Sequence, residues 1–429
     1  MKKMKNEAHD KKADVVPKLR FPEFRGSAGW EIKQLTQVAS RVTQRNSTSI
    51  EVRVLSNSAV DGVVDQRDFF DKDIANKDNL GNYFVVEKGD FVYNPRISNS
   101  APVGPISQNK IGRGVMSPLY TVFRFKHDTC GYYDQYFNTD RWYDYLKSVS
   151  NTGARHDRMA ISNDAFMGMP IPYPEPIEQQ RIADCLSSLD SLISAHTQKL
   201  DGLKTYKKGL MQQLFPAKGE KVPKLRFPEF RGKGEWEERL LEDLAKRGSG
   251  HTPDKKKPSY YNGGIKWVSL ADSNKLDNGY LYATKNEISI DGIKHSSAVL
   301  HPAGTVILSR DAGVGKSAVL FSDMAVSQHF IAWNCKSELS NWFLYYILQL
   351  LKPTFESIAI GSTIKTIGLP YFKSLRICVP HITEQQHIAS FLSSIDNLIA
   401  AQAQKIESLK VHKKGLMQQL FPAMDEANA

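Results

Sequence analysis

The residues of this chain best equipped for chemistry are forked hydrogen-bond donors and cations gathered in short polar stretches. Asn94, Arg96, Ser98 and Asn99 follow the apolar run Phe91–Tyr93, and Arg113 and the cluster Arg155-His156-Asp157-Arg158 come after them. In the second half of the chain stand His251, Thr252, Lys255 and Lys256, then Ser309-Arg310-Asp311, which follows the run Thr305–Leu308 as Asn94–Arg96 follows Phe91–Tyr93. Lys316, Gln328, His329, Thr363 and Lys365 complete the set. Arginine matches the two acceptors of a guanine edge, asparagine and glutamine pair bidentately with adenine, and lysine supplies charge to phosphates. The chemistry implied is recognition of a polyanion with readable edges. A formal net charge of +11 over 429 residues agrees with such a partner. A solvated surface charge is the competing reading for each residue taken singly.

Bond-making chemistry finds less support. Asp311-Ala312-Gly313-Val314-Gly315-Lys316-Ser317 imitates a phosphate-binding loop, but the pattern needs glycine at position 310, where Arg310 stands. A glycine-rich turn between strands accounts for it better. Asn94-Pro95-Arg96 lacks the second proline and the aromatic residue with which amino-methyltransferases grip adenine. Pro253-Asp254 has no second acidic residue at the spacing of a metal nuclease, and no HExxH or Cys/His cluster occurs. The reading is a non-enzyme with no cofactor or metal of its own.

These residues are positioned by an internal repeat. Val16-Pro17-Lys18-Leu19-Arg20-Phe21-Pro22-Glu23-Phe24-Arg25-Gly26 recurs residue for residue from Val222 to Gly232, an offset of 206 (222 − 16). Trp30-Glu31 recurs as Trp236-Glu237, Glu178-Gln179-Gln180 as Glu384-Gln385-Gln386, and the eleven residues Lys207–Ala217 as Lys413–Ala423, all at the same offset. The interiors, about 40–165 and 246–371, share little. The chain is thus two copies of one plan, a divergent globular domain followed by a near-constant segment.

Each constant segment carries a heptad seam. Ile182, Leu186, Leu189, Ile193, Leu200, Leu203, Leu210 and Leu214 mark the first, interrupted by His196 and Lys207. Ile388, Leu392, Ile395, Ile399, Ile406, Leu409, Leu416 and Leu420 mark the second, interrupted by Gln402 and Lys413. The alternating spacing of four and three predicts helices that bury their seams against each other, antiparallel if a pseudo-two-fold axis relates the copies. Each would be roughly 57 Å long at 1.5 Å per residue. Thr383 suits the N-cap of a capping box with Gln386 three residues on, and Phe215-Pro216 and Phe421-Pro422 stop the helices. Gly202, Gly209 and Gly415 each weaken them by about 1 kcal/mol.

Here the residues resemble a known family. A proline, a short gap and then E-Q-Q-x-I-A opening a long helix, as Pro174…Glu178–Ala183 and Pro380…Glu384–Ala389, is similar to the specificity subunits of type I restriction–modification systems. So are the helix-ending Lys-Lys-Gly-Leu-Met-Gln-Gln-Leu-Phe-Pro, the P-x-L-R-F-P-E-F opening, and Gly250-His251-Thr252-Pro253…Gly263-Gly264-Ile265-Lys266-Trp267-Val268. The resemblance implies an α+β chain of two target-recognition domains joined by two long conserved helices. Each domain would read one half of a split, asymmetric double-stranded DNA site, with the helices setting the gap. It further implies two methyltransferase (M) subunits carrying S-adenosylmethionine, and restriction/translocase (R) subunits using ATP and Mg.

The expected organisation is a disordered tail over 1–14, recognition domain 1 over 15–175, a central helix over 176–216, linker and recognition domain 2 over 217–380, a distal helix over 381–422, and a tail over 423–429. The four cysteines read as reduced, mostly buried thiols, and neither a signal peptide nor a membrane span is visible, so a cytoplasmic protein is expected. The alternatives are a coiled-coil adaptor with no DNA role and, less favoured, a free-standing DNA methyltransferase or nuclease.

Overall fold

The computed structural model describes residues 15–69, 77–129, 131–150, 157–362 and 365–423. The chain divides into two units, Met1–Ala195 with Ile406–Ala429, and His196–Lys405. Each unit is a globular domain together with part of both long helices, Pro176–Leu214 and Ile382–Leu420.

The divergent interiors fold on one plan. In the first unit a sheet runs, in spatial order, Ala39–Arg41, Thr121–Phe125, Phe91–Tyr93, Ile106–Gln108, all antiparallel. In the second it runs Ala245–Ser249, Phe330–Cys335, Val306–Ser309, Ser317–Leu320, with Tyr280–Leu281 added in parallel. A two-stranded ribbon then closes each domain: Glu31–Gln34 pairs with Pro170–Tyr173, and Glu237–Leu240 with Arg376–Val379. Both ribbons bring the domain's start to its end, at the head of a long helix. The units differ in what is added. The first carries the hairpin Leu55–Ser58/Gly62–Asp65 and the pair Phe84–Val86/Gly114–Met116. The second carries a four-stranded sheet of Asn286–Ile288, Tyr261–Val268, Met324–Val326 and Leu300–His301.

The repeated opening segment acts as a clamp on the helix start. Arg20 donates from Nε and Nη2 to the two carboxylate oxygens of Glu178 at 2.8 and 2.7 Å, and the two side chains are only 8% and 2% exposed. Arg226 makes the same fork to Glu384 at 2.7 and 2.7 Å. The bond and the facing charge raise both guanidinium pKa values against the opposing effect of burial. Glutamine follows glutamate in both motifs for a local reason: Gln179 Nε2 donates to the Pro174 carbonyl at 2.8 Å and Gln385 Nε2 to the Pro380 carbonyl at 2.9 Å, tying the strand's end to the helix. Pro176 opens the central helix, where its missing N–H costs nothing. The capping box expected at Thr383 does not form. The distal helix begins at Ile382, the amides of Glu384 and Gln385 donate to the His381 carbonyl, and the Thr383 hydroxyl sits 3.0 Å from His381 Nδ1.

Within each unit the helix segments run antiparallel. In the first, Ile182 and Leu186 share a core with Met417, Leu420 and Phe421; in the second, Leu210, Met211 and Leu214 share one with Ile388, Leu392 and Ile395. The polar seam residues have partners. Lys413 meets Asp190 at 2.6 Å, and Asp190 also accepts from Gln135 Nε2 at 2.9 Å. Lys207 meets Asp396 at 2.5 Å, and Asp396 also accepts from the Tyr346 hydroxyl at 2.8 Å. Lysines 207 and 413, and aspartates 190 and 396, are each 206 apart, so one contact is made twice with the helices' roles exchanged. His196 and Gln402, also 206 apart, meet each other: Gln402 Nε2 donates to His196 Nδ1 at 2.7 Å. Leu189, Ile193, Leu200, Leu203, Ile399 and Leu416 are half-buried, and Ile406 and Leu409 are buried. The helices end at Leu214 and Leu420, before the Phe-Pro pairs. Cys185, Cys335 and Cys378 are half-buried free thiols rather than buried ones, and Cys130 lies outside the described residues.

The two clamps differ at the tryptophan. Trp30 Nε1 donates to Glu178 at 3.0 Å, whereas Trp236 Nε1 is buried without a partner. Glu178→Ala strands a buried guanidinium and an indole N–H; Glu384→Ala strands the guanidinium alone. Thermal or denaturant unfolding is expected to register about 3–5 kcal/mol for Glu384→Ala, and roughly 1 kcal/mol or more beyond that for Glu178→Ala. Equal losses would show the Trp30 bond to be idle.

Candidate nucleic-acid interface

In the first unit the polar residues sit where the strand Phe91–Tyr93 runs out of sheet. Asn94 is half-buried and its side chain is committed to the loop: Nδ2 donates to the Asn57 carbonyl at 2.9 Å and Oδ1 accepts from the Arg96 amide at 3.0 Å. Gly104 lies beneath it with φ +82°, and a Cβ there would stand 2.1 Å from the Asn94 carbonyl oxygen. The Met159 amide donates to the Pro95 carbonyl and the Ile97 amide to the Asp157 carbonyl. These bonds seat Arg158 beside Arg96, with the Asp157 carboxylate 3.7 Å from Arg96 and 3.8 Å from Arg158.

Two hollows open here. One, of about 320 Å³, is lined by Asn94, Arg96, Ser98 and Arg158 among others; the second, of about 620 Å³, shares Pro95, Leu119, Tyr120 and Arg158 with it. Four of the expected residues are therefore brought together. Asn99 is exposed but lines neither hollow. Arg113 lies apart, its guanidinium taken by Glu87 at 2.7 Å and Glu51 at 3.4 Å. Arg155 and His156 lie outside the described residues.

In the second unit the equivalent loop gathers a different set. The Arg310 amide donates to the His329 carbonyl, and the Ile367 amide to the Arg310 carbonyl, the counterpart of Met159 and Pro95. Arg310 Nε is enclosed without a partner. His329 Nδ1 lies 2.8 Å from Asp311, and the Thr252 hydroxyl donates to Gln328 Oε1 at 2.6 Å. His251 is exposed, with its amide on the Val326 carbonyl and its own carbonyl accepting from Trp267 Nε1. Arg310, Gln328, His329, Thr252 and His251 thus form one group. Lys255 and Lys256 are exposed on the turn that follows. Lys316 and Lys365 line a separate hollow of about 500 Å³ with Lys352 and Glu356, and Lys316 Nζ donates to the Ser273 carbonyl at 3.1 Å. Thr363 lies outside the described residues.

Ser309 is a correction to the expected set. It is 0% exposed and its hydroxyl donates to the Asp311 carbonyl at 2.6 Å, so it shapes the loop from within the sheet. The stretch from Arg310 to Lys316 is a turn between the paired strands Val306–Ser309 and Ser317–Leu320, with positive φ at Ala312, Gly313 and Gly315. Among the described residues no group of His, Cys, Asp and Glu could hold a metal ion, and no helix is long and apolar enough to cross a membrane. Arg41, Arg45 and Tyr120 also line the first unit's hollows and are absent from the expected set. The overlooked signal is alternation: Arg41, Thr43 and Arg45 fall on one face of an extended segment.

Residues 233–411 match the family described as type I restriction modification DNA specificity domain. The type I restriction enzyme MjaVIII specificity subunit of Methanocaldococcus jannaschii is 27% identical over 364 residues, covering 80% of this chain and 76% of that protein. The matched segment is thus similar to the DNA specificity domain of type I systems, and most of the chain is similar to their specificity subunits. Another relative, the MjaIX specificity subunit of the same organism, is 26% identical over 178 residues, so this chain spans 41% of its length. The fold is shared with a solved chain from a study of complex assembly and conformational transition of the type I R-M system, at TM-score 0.59 and 18% identity, covering 92% of this chain and 98% of that one. It is shared too with the type I S subunit from M. genitalium, at TM-score 0.54 and 12% identity, covering 96% and 100%.

In the second unit the loop from 250 to 252 is held by close backbone approach. A Cβ on Gly250 would stand 1.6 Å from the Val326 carbonyl oxygen, the same atom that accepts the His251 amide. Gly250→Ala is expected to destabilise the second unit by roughly 1–3 kcal/mol and to speed hydrogen exchange of the His251 amide. Unchanged exchange at His251 would mean that the contact does not hold the loop.

Proposed function

We propose that this chain is the DNA sequence-recognition subunit of a type I restriction–modification complex. Each globular domain, over 15–175 and 217–380, reads one half of a bipartite, asymmetric site in double-stranded DNA. The helical segments, over 176–216 and 381–422, set the gap between the half-sites and dock two methyltransferase subunits. Restriction/translocase subunits complete the assembly. S-adenosylmethionine belongs to the M subunits, and ATP and Mg to the R subunits; this chain binds none of them and performs no catalytic step. The complex works in the cytoplasm.

One observation carries the reading. The two domains keep the same sheet order and the same Arg–Glu clamp, yet the loops at equivalent strand ends present different polar residues. Asn94, Arg96 and Arg158 gather beyond the strand end in one domain, and Arg310, Asp311 and His329 gather there in the other. A duplicated scaffold with divergent donors and acceptors is what reading two unlike half-sites requires. An adaptor that used only its coiled coil would gain nothing from this divergence.

The test is co-expression with the M subunit of the same source, followed by mapping of N6-methyladenine across the host DNA. The expected result is one split motif with a fixed gap. A stable complex that methylates no motif would favour an adaptor, and methylation by the chain alone would reveal an active site in it. Exchange of residues 15–175 for those of another specificity subunit is expected to change one half of the motif and leave the other intact. A change in both halves, or in neither, would overturn the division of labour.

A further inference from the structure

We propose that the larger hollow of the first unit is a binding site for the phosphate backbone of DNA, with Arg41 as its central cation. The inference rests on the reading of the chain as a DNA-recognition subunit and adds which groove holds the backbone and how its charge is kept available.

Strand geometry places the cations. Side chains two residues apart in an extended segment share a face. Arg41, Thr43 and Arg45 accordingly line one hollow, which Arg158 and Asn163 also line. Three guanidinium groups and neutral polar side chains border it, and among the described residues no carboxylate does. Arg45 is steadied by donation to the Asn82 carbonyl at 3.0 Å and lies over the Phe84 ring at 5.6 Å. Arg41 Nε is enclosed and has no partner.

The repeat supplies a comparison inside the same molecule. Arg247 stands 206 residues after Arg41, on the equivalent strand next to the equivalent short helix. Arg247 is neutralised by Glu242 at 2.5 Å. The residue 206 before Glu242 is Thr36, so the first unit keeps the arginine and lacks its acid. A half-buried cation without its counter-charge is costly to hold unless an anion is supplied from outside. The anion that a DNA-recognition domain meets is a phosphodiester, and an arginine fork suits its two free oxygens.

The experiment measures binding of the assembled complex with M subunits to a duplex carrying the mapped site and to a scrambled duplex, over a range of salt concentrations. Each phosphate contact contributes about 0.9 to the slope of log affinity against log salt. Arg41→Gln is expected to lower that slope by about 0.9 and to weaken binding to both duplexes by a similar factor, on the order of tenfold. Arg41→Lys is expected to keep most of the slope. Thr36→Glu, which restores the second unit's pair without removing the arginine, is expected to act like Arg41→Gln. Thermal melting of each variant separates these effects from misfolding.

Two results overturn the proposal. One is an Arg41→Gln complex with the wild-type slope; the other is a loss confined to particular base pairs of one half-site, which would make Arg41 a base reader. A wild-type complex that does not distinguish the mapped duplex from the scrambled one would instead overturn the recognition reading. The slope on non-specific DNA would still judge the phosphate contact.

Discussion

A carboxylate removed from water is tolerated only if a cation and further donors replace the lost hydration. Glu178 and Glu384 are in that position, nearly sealed at the start of the two long helices. The arginine each one requires comes from the repeated opening segment, far away in sequence. That requirement fixes the architecture of each unit. The opening segment must return to the helix head, the ribbon beside it must close the domain, and the helix must leave from a set point. Breaking a buried pair costs far more than the pair contributes beyond an apolar substitute. The clamp is thus better understood as a device for specifying geometry than as a source of stability.

The helix pair follows the same logic more gently. Its lysines could have been errors in an apolar seam, yet each is held by an aspartate of the other helix. Each aspartate in turn accepts from its own unit's globular domain, through Gln135 in one case and Tyr346 in the other. These pairs are partly exposed, so each contributes little energy. Their effect is on register: a slip of one heptad would leave both lysines without a partner. Domain and helices are joined at the same atoms, which gives the loops of each domain a firm base.

On that base the loops are free to differ. The sheet requires apolar residues at Val92, Phe123, Ile307 and Ala332, and backbone pairing sets where the strands end. Beyond the strand ends the constraints are local: a carbonyl that must be paired, or a glycine that allows close approach. Asn94, placed after its strand by such bonds, spends its side chain on the loop rather than toward solvent. The same rule consumes Ser309 entirely. Polar side chains that look alike in the linear chain therefore divide into those that build the loop and those the loop presents.

The sequence alone determined the repeat, its offset, the helices with their seams and stops, and the resemblance to a family. All of these rest on periodicity or on identity between copies, which are properties of the linear chain. It also marked the strand ends where polar residues emerge. Tertiary structure decided which of those residues remain available. Nothing in the sequence says that Ser309 is enclosed, that Arg113 is already taken by Glu87 and Glu51, or that His381 rather than Thr383 accepts the first amides of the distal helix. Nor does it say that Arg41 lines a hollow with Arg158, more than a hundred residues away. Availability depends on which groups a side chain meets in space, and those meetings are set by sheet pairing between distant segments. Local pattern carries no record of them.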